Sequence, residues 1–173
     1  MTDQSEIDRL APIGVVTSAA YRDAMSQMAQ GVTIVTTDGA AGRIGLTVSS
    51  IASVTDVPPS LLICVRRESA VNPILKSNGR FCVNVLGADQ QQLADTFAGR
   101  TQLEMPDRFT ADDWSVSQSG SPLLKSCAVA FDCHVDQIAE IGTHSVVFGT
   151  VTDIMDGRQG SALAYFKRRY HNV

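Results

Sequence analysis

Three groups of residues have types and spacing that suit chemistry. His144 follows Gly142 and Thr143 in a turn signal at the mouth of a strand-like run. An imidazole there can donate to a phosphate or a carboxamide, or move a proton near neutral pH; the plainer alternative is a surface turn histidine. The stretch Gly45 to Thr55 carries five hydroxyls, Thr47, Ser49, Ser50, Ser53 and Thr55, in a β-branched and apolar setting that reads as one strand. By the two-residue period Thr47, Ser49, Ile51 and Ser53 share one face, and Val48, Ser50 and Ala52 the other. Neither face is cleanly apolar, and a dry core would leave such hydroxyls in need of partners. Small hydroxylated residues let a ligand approach the backbone and offer it hydrogen bonds; the alternative is an edge strand facing water. The third group, Lys167-Arg168-Arg169, can clamp an anion, or simply form a solvated face.

Other chemistries are disfavoured. The histidines, His134, His144 and His171, have no metal-ligand spacing, and His134 and Cys133 face opposite ways on a strand. No G-x-S-x-G elbow or Walker A motif occurs. Gly39, Gly42 and Gly45 lie between two strands and do not match a dinucleotide fingerprint.

The elements that must position these groups can be read in order. Residues 1–16 read as a mobile or wrapping arm, and 17–173 as a single domain. Thr17-Ser18 can cap a helix whose Tyr21, Ala24, Met25 and Met28 form one stripe, expected to be core. Gly31 to Thr37 is a strand, and the turn at Asp38 to Gly42 sends it back as a hairpin. Asp56-Val-Pro58-Pro59 breaks the hydroxyl-rich strand. Ser60 to Arg66 is apolar on both faces and expected to be central. Ser69 can cap a helix over 70–77, with Gly79 past its end. Arg80 to Leu86 is a strand with Phe81, Val83 and Val85 on one face. Asp89 and Gln92 resemble a capping box for a helix running to Ala98.

Residues 100–126 read as a long loop anchored by Phe109 and Trp114, of the kind that often serves as a lid. A strand from Ser126 to Ile138 should have a wet face at Ala130, Asp132, His134 and Asp136. Glu140 to His144 is a turn, Ser145 to Asp153 the returning strand, and 162–166 a last short strand before the basic end. Strands outnumber helices and short turns join them. The fold class is therefore mainly β, an antiparallel barrel or sandwich with peripheral helices.

Composition narrows the partners. A 173-residue chain that is 44% hydrophobic can bury a sizeable core. A net charge of −4 argues against a nucleic-acid partner. Cys64, Cys82, Cys127 and Cys133 lie in apolar runs without a C-x-x-C pair, as reduced thiols of a cytoplasmic protein would. No run reaches membrane-spanning length, and the acidic start is unlike a signal peptide.

In sum the motifs resemble the short-chain flavin reductase family, with its FMN-binding split barrel. The matching blocks are Tyr21-Arg-Asp-Ala-Met25 before Gly31-Val-Thr-Ile-Val-Thr36, and Thr47-x-Ser-Ser50 followed by Ser53-Val-Thr-Asp-x-Pro-Pro59. Phe81-Cys-Val-Asn-Val-Leu86, Leu93-Ala-x-x-Phe97-Ala, Gly142-Thr-His144 and Tyr165-Phe to Tyr170-His171 complete them. The resemblance implies an NAD(P)H-dependent flavin reductase. It would reduce FMN or FAD with NADH, preferred over NADPH since no cluster for a 2′-phosphate stands out. It would form a homodimer and supply reduced flavin to a partner monooxygenase, as the subgroups serving pyrimidine breakdown or 4-hydroxyphenylacetate hydroxylation do.

Carried over by position, the resemblance places Thr33, Ile34, Val35 and Thr36 along the flavin, with Thr47, Val48, Ser49 and Ser50. Ser53 and Val54 continue that wall. Ser69, Asn72 and Phe81 fall near its phosphate or distal end. His144 matches the histidine that meets the nicotinamide, with Arg168 and Tyr170 closing the same side. Many members have Gly-Asp-His where this chain has Gly142-Thr143-His144, so a neutral Thr143 replaces an acidic contact. Two other functions fit the same resemblance: a flavin- or haem-binding module without turnover, and an FMN-dependent oxidase of a small phosphorylated substrate.

Overall fold

The computed structural model describes residues 16–110 and 113–173. The chain is mainly β, as its alternating and β-branched runs require. Helix α1 (Ser18–Met25) is followed by β1 (Gln30–Gly31), β2 (Thr33–Thr37), β3 (Ile44–Val48), β4 (Ile51–Asp56) and β5 (Pro59–Arg66). Then come α2 (Val71–Asn78), β6 (Arg80–Val85), α3 (Gln91–Phe97), a 3₁₀ turn (Pro106–Phe109), β7 (Trp114–Val116) and β8 (Pro122–Leu124). The long hairpin β9 (Val129–Ile141) and β10 (His144–Asp156) precedes β11 (Leu163–Phe166) and β12 (Arg169–Asn172). No helix among the described residues is long and apolar enough to cross a membrane.

Seven strands form one antiparallel sheet in the order β3-β2-β6-β9-β10-β5-β4. Its two outer strands, β3 and β4, are consecutive in sequence and joined only by Ser49 and Ser50. The sheet must therefore curl until its edges nearly meet, although β3 and β4 do not pair with each other. The expected split barrel is thus a curled sheet with an open seam. Two backbone bonds fix the crossing: the Cys64 N–H donates to the Ser50 carbonyl and the Ile51 N–H to the Ser49 carbonyl, each at 3.1 Å.

Two apolar clusters hold the sheet. One gathers Val35, Ile63, Val65, Phe81, Val83 and Val147 with Leu75 of α2. The other packs Val32, Ile34, Cys82 and Leu86 against Phe97 of α3, Leu123 and Leu163. β2 and β6 send alternate residues into each, so both are buried on both faces. Each fully buried side chain of this size contributes roughly 1.5–3 kcal/mol. Gly149 is required where β10 crosses Phe81: an added Cβ would lie 2.5 Å from the ring.

Several expectations are corrected. The hydroxyl-rich stretch is two strands, because each half pairs with a different partner. The stripe on α1 is not core: no residue of α1 is buried, and Tyr21 and Met28 are exposed. Residues 100–126 carry a 3₁₀ turn and the β7–β8 pair, because Phe109 and Trp114 stack with Phe97 at centroid separations of 5.0–5.5 Å. Gln90, not Asp89 or Gln92, tidies the start of α3, its Oε1 accepting the Gly87 N–H. Asp89 pairs instead with Arg158.

The wet face of β9 is wet only from His134 onward. Ala130 is buried, and so is Asp132, whose carboxylate accepts from Ser117 and Ser119 hydroxyls and the Ser119 N–H. The turn before His144 is only Gly142-Thr143, with Gly142 at φ +53°. The basic end forms a hairpin. Lys167 and Arg168 both have positive φ, the geometry of tight turns whose twist matches the flanking strands. The expected 1–16 arm lies, but for Val16, outside the described residues.

Candidate functional site

The outer side of β3 and the Ser49–Ser50 crossing open on three adjoining cavities that share Thr47. One of about 250 Å³ is lined by Leu46, Thr47, Val48, Ser49, Ser50, Cys64, Arg66 and Ser69. A second, about 180 Å³, is lined by Val32, Thr47, Ser49, Ala98, Arg100, Tyr165 and Tyr170. The third, about 320 Å³, runs from Gly45 and Thr47 past Ser69 and Ala70 to Phe97, Gly99 and Arg108. Together they form a groove over the seam of the sheet. A larger cavity of about 640 Å³ shares Arg108 but takes its wall from Asp89, Gln92, Leu93 and Thr96, and includes neither the crossing serines nor His144. The groove is the better site because it combines uncommitted polar groups with apolar walls.

The hydroxyls separate into two kinds. Thr33, Thr36 and Thr37 are buried, and donate to the carbonyls of Val48 (2.8 Å), Pro122 (2.5 Å) and Arg80 (2.7 Å). Thr47 donates to the Ala94 carbonyl at 2.6 Å, fastening α3 to β3. The Ser49 and Ser50 hydroxyls have no partner among the described residues, although both line the groove. The crossing frees them: their backbone groups hold the seam while their side chains stay available.

His144 reaches this site through strand register. It pairs with Arg66 across the β10–β5 ladder, and Val146 pairs with Cys64. Cross-strand partners share a face, so His144, Val146, Cys64 and Arg66 lie together, opposite the buried Ile63 and Val65. Thr143 Oγ1 lies 2.9 Å from His144 Nδ1. When Nδ1 accepts from that hydroxyl, Nε2 carries the proton and is a donor. Behind this corner, Glu140 takes hydrogen bonds from Lys76 (2.5 Å) and Ser145 (2.9 Å) and a contact from Arg67 (3.3 Å). The Lys76 bond, chiefly, holds its carboxyl below the usual range.

Burial tunes two further groups. Desolvation raises the Cys64 thiol and the Tyr170 phenol. Tyr170 meets Tyr165 edge-on at 5.3 Å, and the Arg100 guanidinium lies 5.6 Å from its centroid. Arg100 is itself anchored to Asp95 at 2.7 Å, which raises its pKa further.

The structure thus brings Thr47, Val48, Ser49, Ser50, Ser69 and Tyr170 to one groove, with His144 beside it. It does not bring the others. Thr33, Ile34, Val35, Thr36 and Phe81 are core residues, 0–2% exposed, behind the groove wall. Asn72 is buried and donates to the Val65 carbonyl and Ser145. Ser53 and Val54 are exposed on the edge strand β4, and Arg168 pairs with Asp23 of α1. Sequence reasoning missed Arg66, Arg100 and Cys64. Arg66 ends an apolar strand and Arg100 follows a helix-ending glycine, positions at which a cation also occurs as ordinary solvation.

Comparison with known proteins gives a consistent set. The model of the flavin reductase like domain matches residues 25–173. FMN reductase (NADH) RutF of Pseudomonas syringae pv. syringae is 41% identical over all 173 residues, covering 96% of that protein. The Escherichia coli O127:H6 protein of the same name is 42% identical over 92% of this chain and 96% of its own. Among solved structures, BorF, the flavin reductase component of a bacterial two-component tryptophan halogenase, aligns with a TM-score of 0.84 at 30% identity, covering 91% of this chain and 98% of BorF. The NADH:FAD oxidoreductase of Streptomyces globisporus, in complex with NAD and FAD fragments, aligns at 0.82 and 27% identity, covering 92% and 96%.

Proposed function

The chain belongs to the flavin reductase like family, and from that premise we propose that it is an NADH-dependent flavin reductase whose groove over Ser49–Ser50 receives the flavin. The observation that carries the placement is the pair of uncommitted serine hydroxyls in a chain whose neighbouring hydroxyls are satisfied. The donor set fits a flavin: a long groove with apolar walls at Leu46, Val48 and Phe97, and hydroxyls and guanidinium groups along one side. FMN is the favoured flavin, as the RutF relatives are named for it, with FAD accepted.

When bound, the flavin supplies a two-electron acceptor for the hydride of NADH. Ser49 and Ser50 donate to its polar edge, where negative charge develops. Thr47 keeps α3 against β3 and so fixes the groove width. Tyr170, backed by Tyr165 and Arg100, closes one end. His144 Nε2 donates to the nicotinamide carboxamide and sets its distance from the acceptor, a positioning role rather than a proton transfer. Thr143 orients the ring without the charge a carboxylate would add.

The assembly is a homodimer. The face of β5 and β10 carrying Leu62, Val146 and Phe148 is only half-buried, and Val54, Val57, Ile154 and Met155 beside it are 37–83% exposed. A second copy would cover them and bound the groove. Residues 17–173 act as one domain, in the cytoplasm, where all four thiols stay reduced. Reduced flavin passes to a partner monooxygenase, a division of labour named for relatives that are components of two-component enzymes.

NADH oxidation by the purified protein with FMN, FAD or no added flavin tests the function. We expect turnover that saturates with flavin and is faster with FMN. No oxidation despite visible flavin binding would contradict it. For the positioning role, His144→Asn should raise the KM for NADH several-fold more than it lowers kcat; abolished hydride transfer with NADH binding intact would contradict that role.

A further inference from the structure

We propose that Arg66 reads the phosphate of the flavin and makes this enzyme select the nucleotide, FMN, over the unphosphorylated riboflavin. The inference rests on the flavin-reductase reading of the groove. Among the described residues the Arg66 guanidinium has no ion pair or hydrogen bond, yet it lines the cavity with the free hydroxyls of Ser49 and Ser50 and with Ser69. Other cations near the groove already have hydrogen-bond partners. Arg100 is neutralised by Asp95, and Arg108 Nε donates to the Leu103 carbonyl. The basic run that the sequence offers as an anion clamp sits in the β11–β12 turn, where Arg168 pairs with Asp23.

Among the described residues no carboxylate pairs with Arg66, the exposed Glu68 of the same turn included. Glu140, the acid nearest along the β9–β10 turn, is already taken by Lys76 and Arg67. Arg66 shares its cavity with Ser69, just ahead of α2, so a phosphate held by Arg66 lies at the β5–α2 corner of the groove. An arginine fork meets a phosphate dianion with two parallel charge-assisted bonds, and the Ser69 hydroxyl supplies a further donor. Riboflavin offers only a hydroxyl there and gains none of this.

The test is flavin fluorescence quenching by the intact protein, with FMN and with riboflavin, for the native chain, Arg66→Gln and Arg66→Lys. We expect the native protein to prefer FMN at least tenfold, Arg66→Gln to bring that preference near unity, and Arg66→Lys to retain an intermediate value. Inorganic phosphate should compete with FMN on the native protein and not with riboflavin. Equal weakening of both flavins in Arg66→Gln, or an FMN preference that survives it, would overturn the proposal. Should Arg66→Gln fail to fold, Arg66→Lys and phosphate competition on the native protein decide. Because binding is read directly, a protein that binds FMN in this way but never oxidises NADH would defeat the reductase reading and leave the phosphate corner standing.

Discussion

Strand β2 and the Ser49–Ser50 crossing are both rich in hydroxyls, and they use them in opposite ways. In β2 every residue is buried, and Thr33, Thr36 and Thr37 each donate to a carbonyl on another element. At the crossing the backbone is engaged and the side chains are not. The difference comes from topology: β2 has a strand on each side and an apolar cluster on each face, whereas the crossing lies where the curled sheet changes edges. Hydroxyl content therefore marks a site only where the fold leaves the donors unspent.

The comparison predicts a graded set of outcomes. The largest concerns Asn84, which binds the β2 hydroxyls into the core: its amide donates to the Ile34 carbonyl and Thr36 Oγ1, and its Oδ1 accepts the Leu124 N–H. Asn84→Ala should cost about 3 kcal/mol through lost bonds and a void. That lowers the melting temperature by roughly 6–12 °C, seen by calorimetry, while FMN affinity of the folded protein is kept. Thr36→Val orphans fewer groups and should cost about 1–3 kcal/mol by urea unfolding. A cost near zero for both would mean that the β2 hydroxyls are as idle as those of the crossing.

Thiol labelling sharpens the same contrast between core and groove. Burial pushes Cys127 up to about 11 and Cys133 to about 12, and Cys82 is raised as well. Cys64 is only partly buried and lines the groove. Iodoacetamide at pH 8 should modify Cys64 at least about tenfold faster than the other three, since the thiolate is the nucleophile and access is required. FMN should slow that reaction. Peptide mapping reads it, and unprotected labelling in saturating FMN would place the flavin elsewhere.

A smaller effect belongs to Glu140. Its pKa is lowered in the folded state, mainly by the Lys76 hydrogen bond. Its contribution is therefore present above the ordinary carboxylate range and lost as pH falls through the lowered folded value. Exposure screens the pair, so Glu140→Gln should cost less than about 1 kcal/mol at pH 7. That difference in urea midpoint should shrink toward pH 3.

Most strands, the β2–β3 and β9–β10 hairpins and the family blocks were legible in the sequence because each is a local pattern; the β3–β4 break, the β7–β8 pair and the β11–β12 hairpin were not. The partition of the hydroxyls was not. Thr33 and Ser49 look alike in a β-branched context, and only pairing partners distant in sequence decide which is spent. Asp132 read as solvent-facing because the period of β9 put it with His134; the serines that bury it come from the 117–121 turn. Arg66 was invisible for the same reason, since its value depends on a cavity shared with Ser49 and Ser50 that no local pattern carries. Gly149 likewise answers to Phe81 on a strand to which β10 is not paired.

The most direct test of the central claim is FMN titration of the Ser49→Ala/Ser50→Ala double variant beside the native protein, with melting temperatures measured on the same samples. We expect FMN affinity reduced by roughly 5- to 150-fold, from two lost hydrogen bonds of about 0.5–1.5 kcal/mol each, and a melting temperature unchanged within about 1–2 °C. Native FMN affinity in the double variant, or a loss of stability as large as that of Thr36→Val, would contradict it.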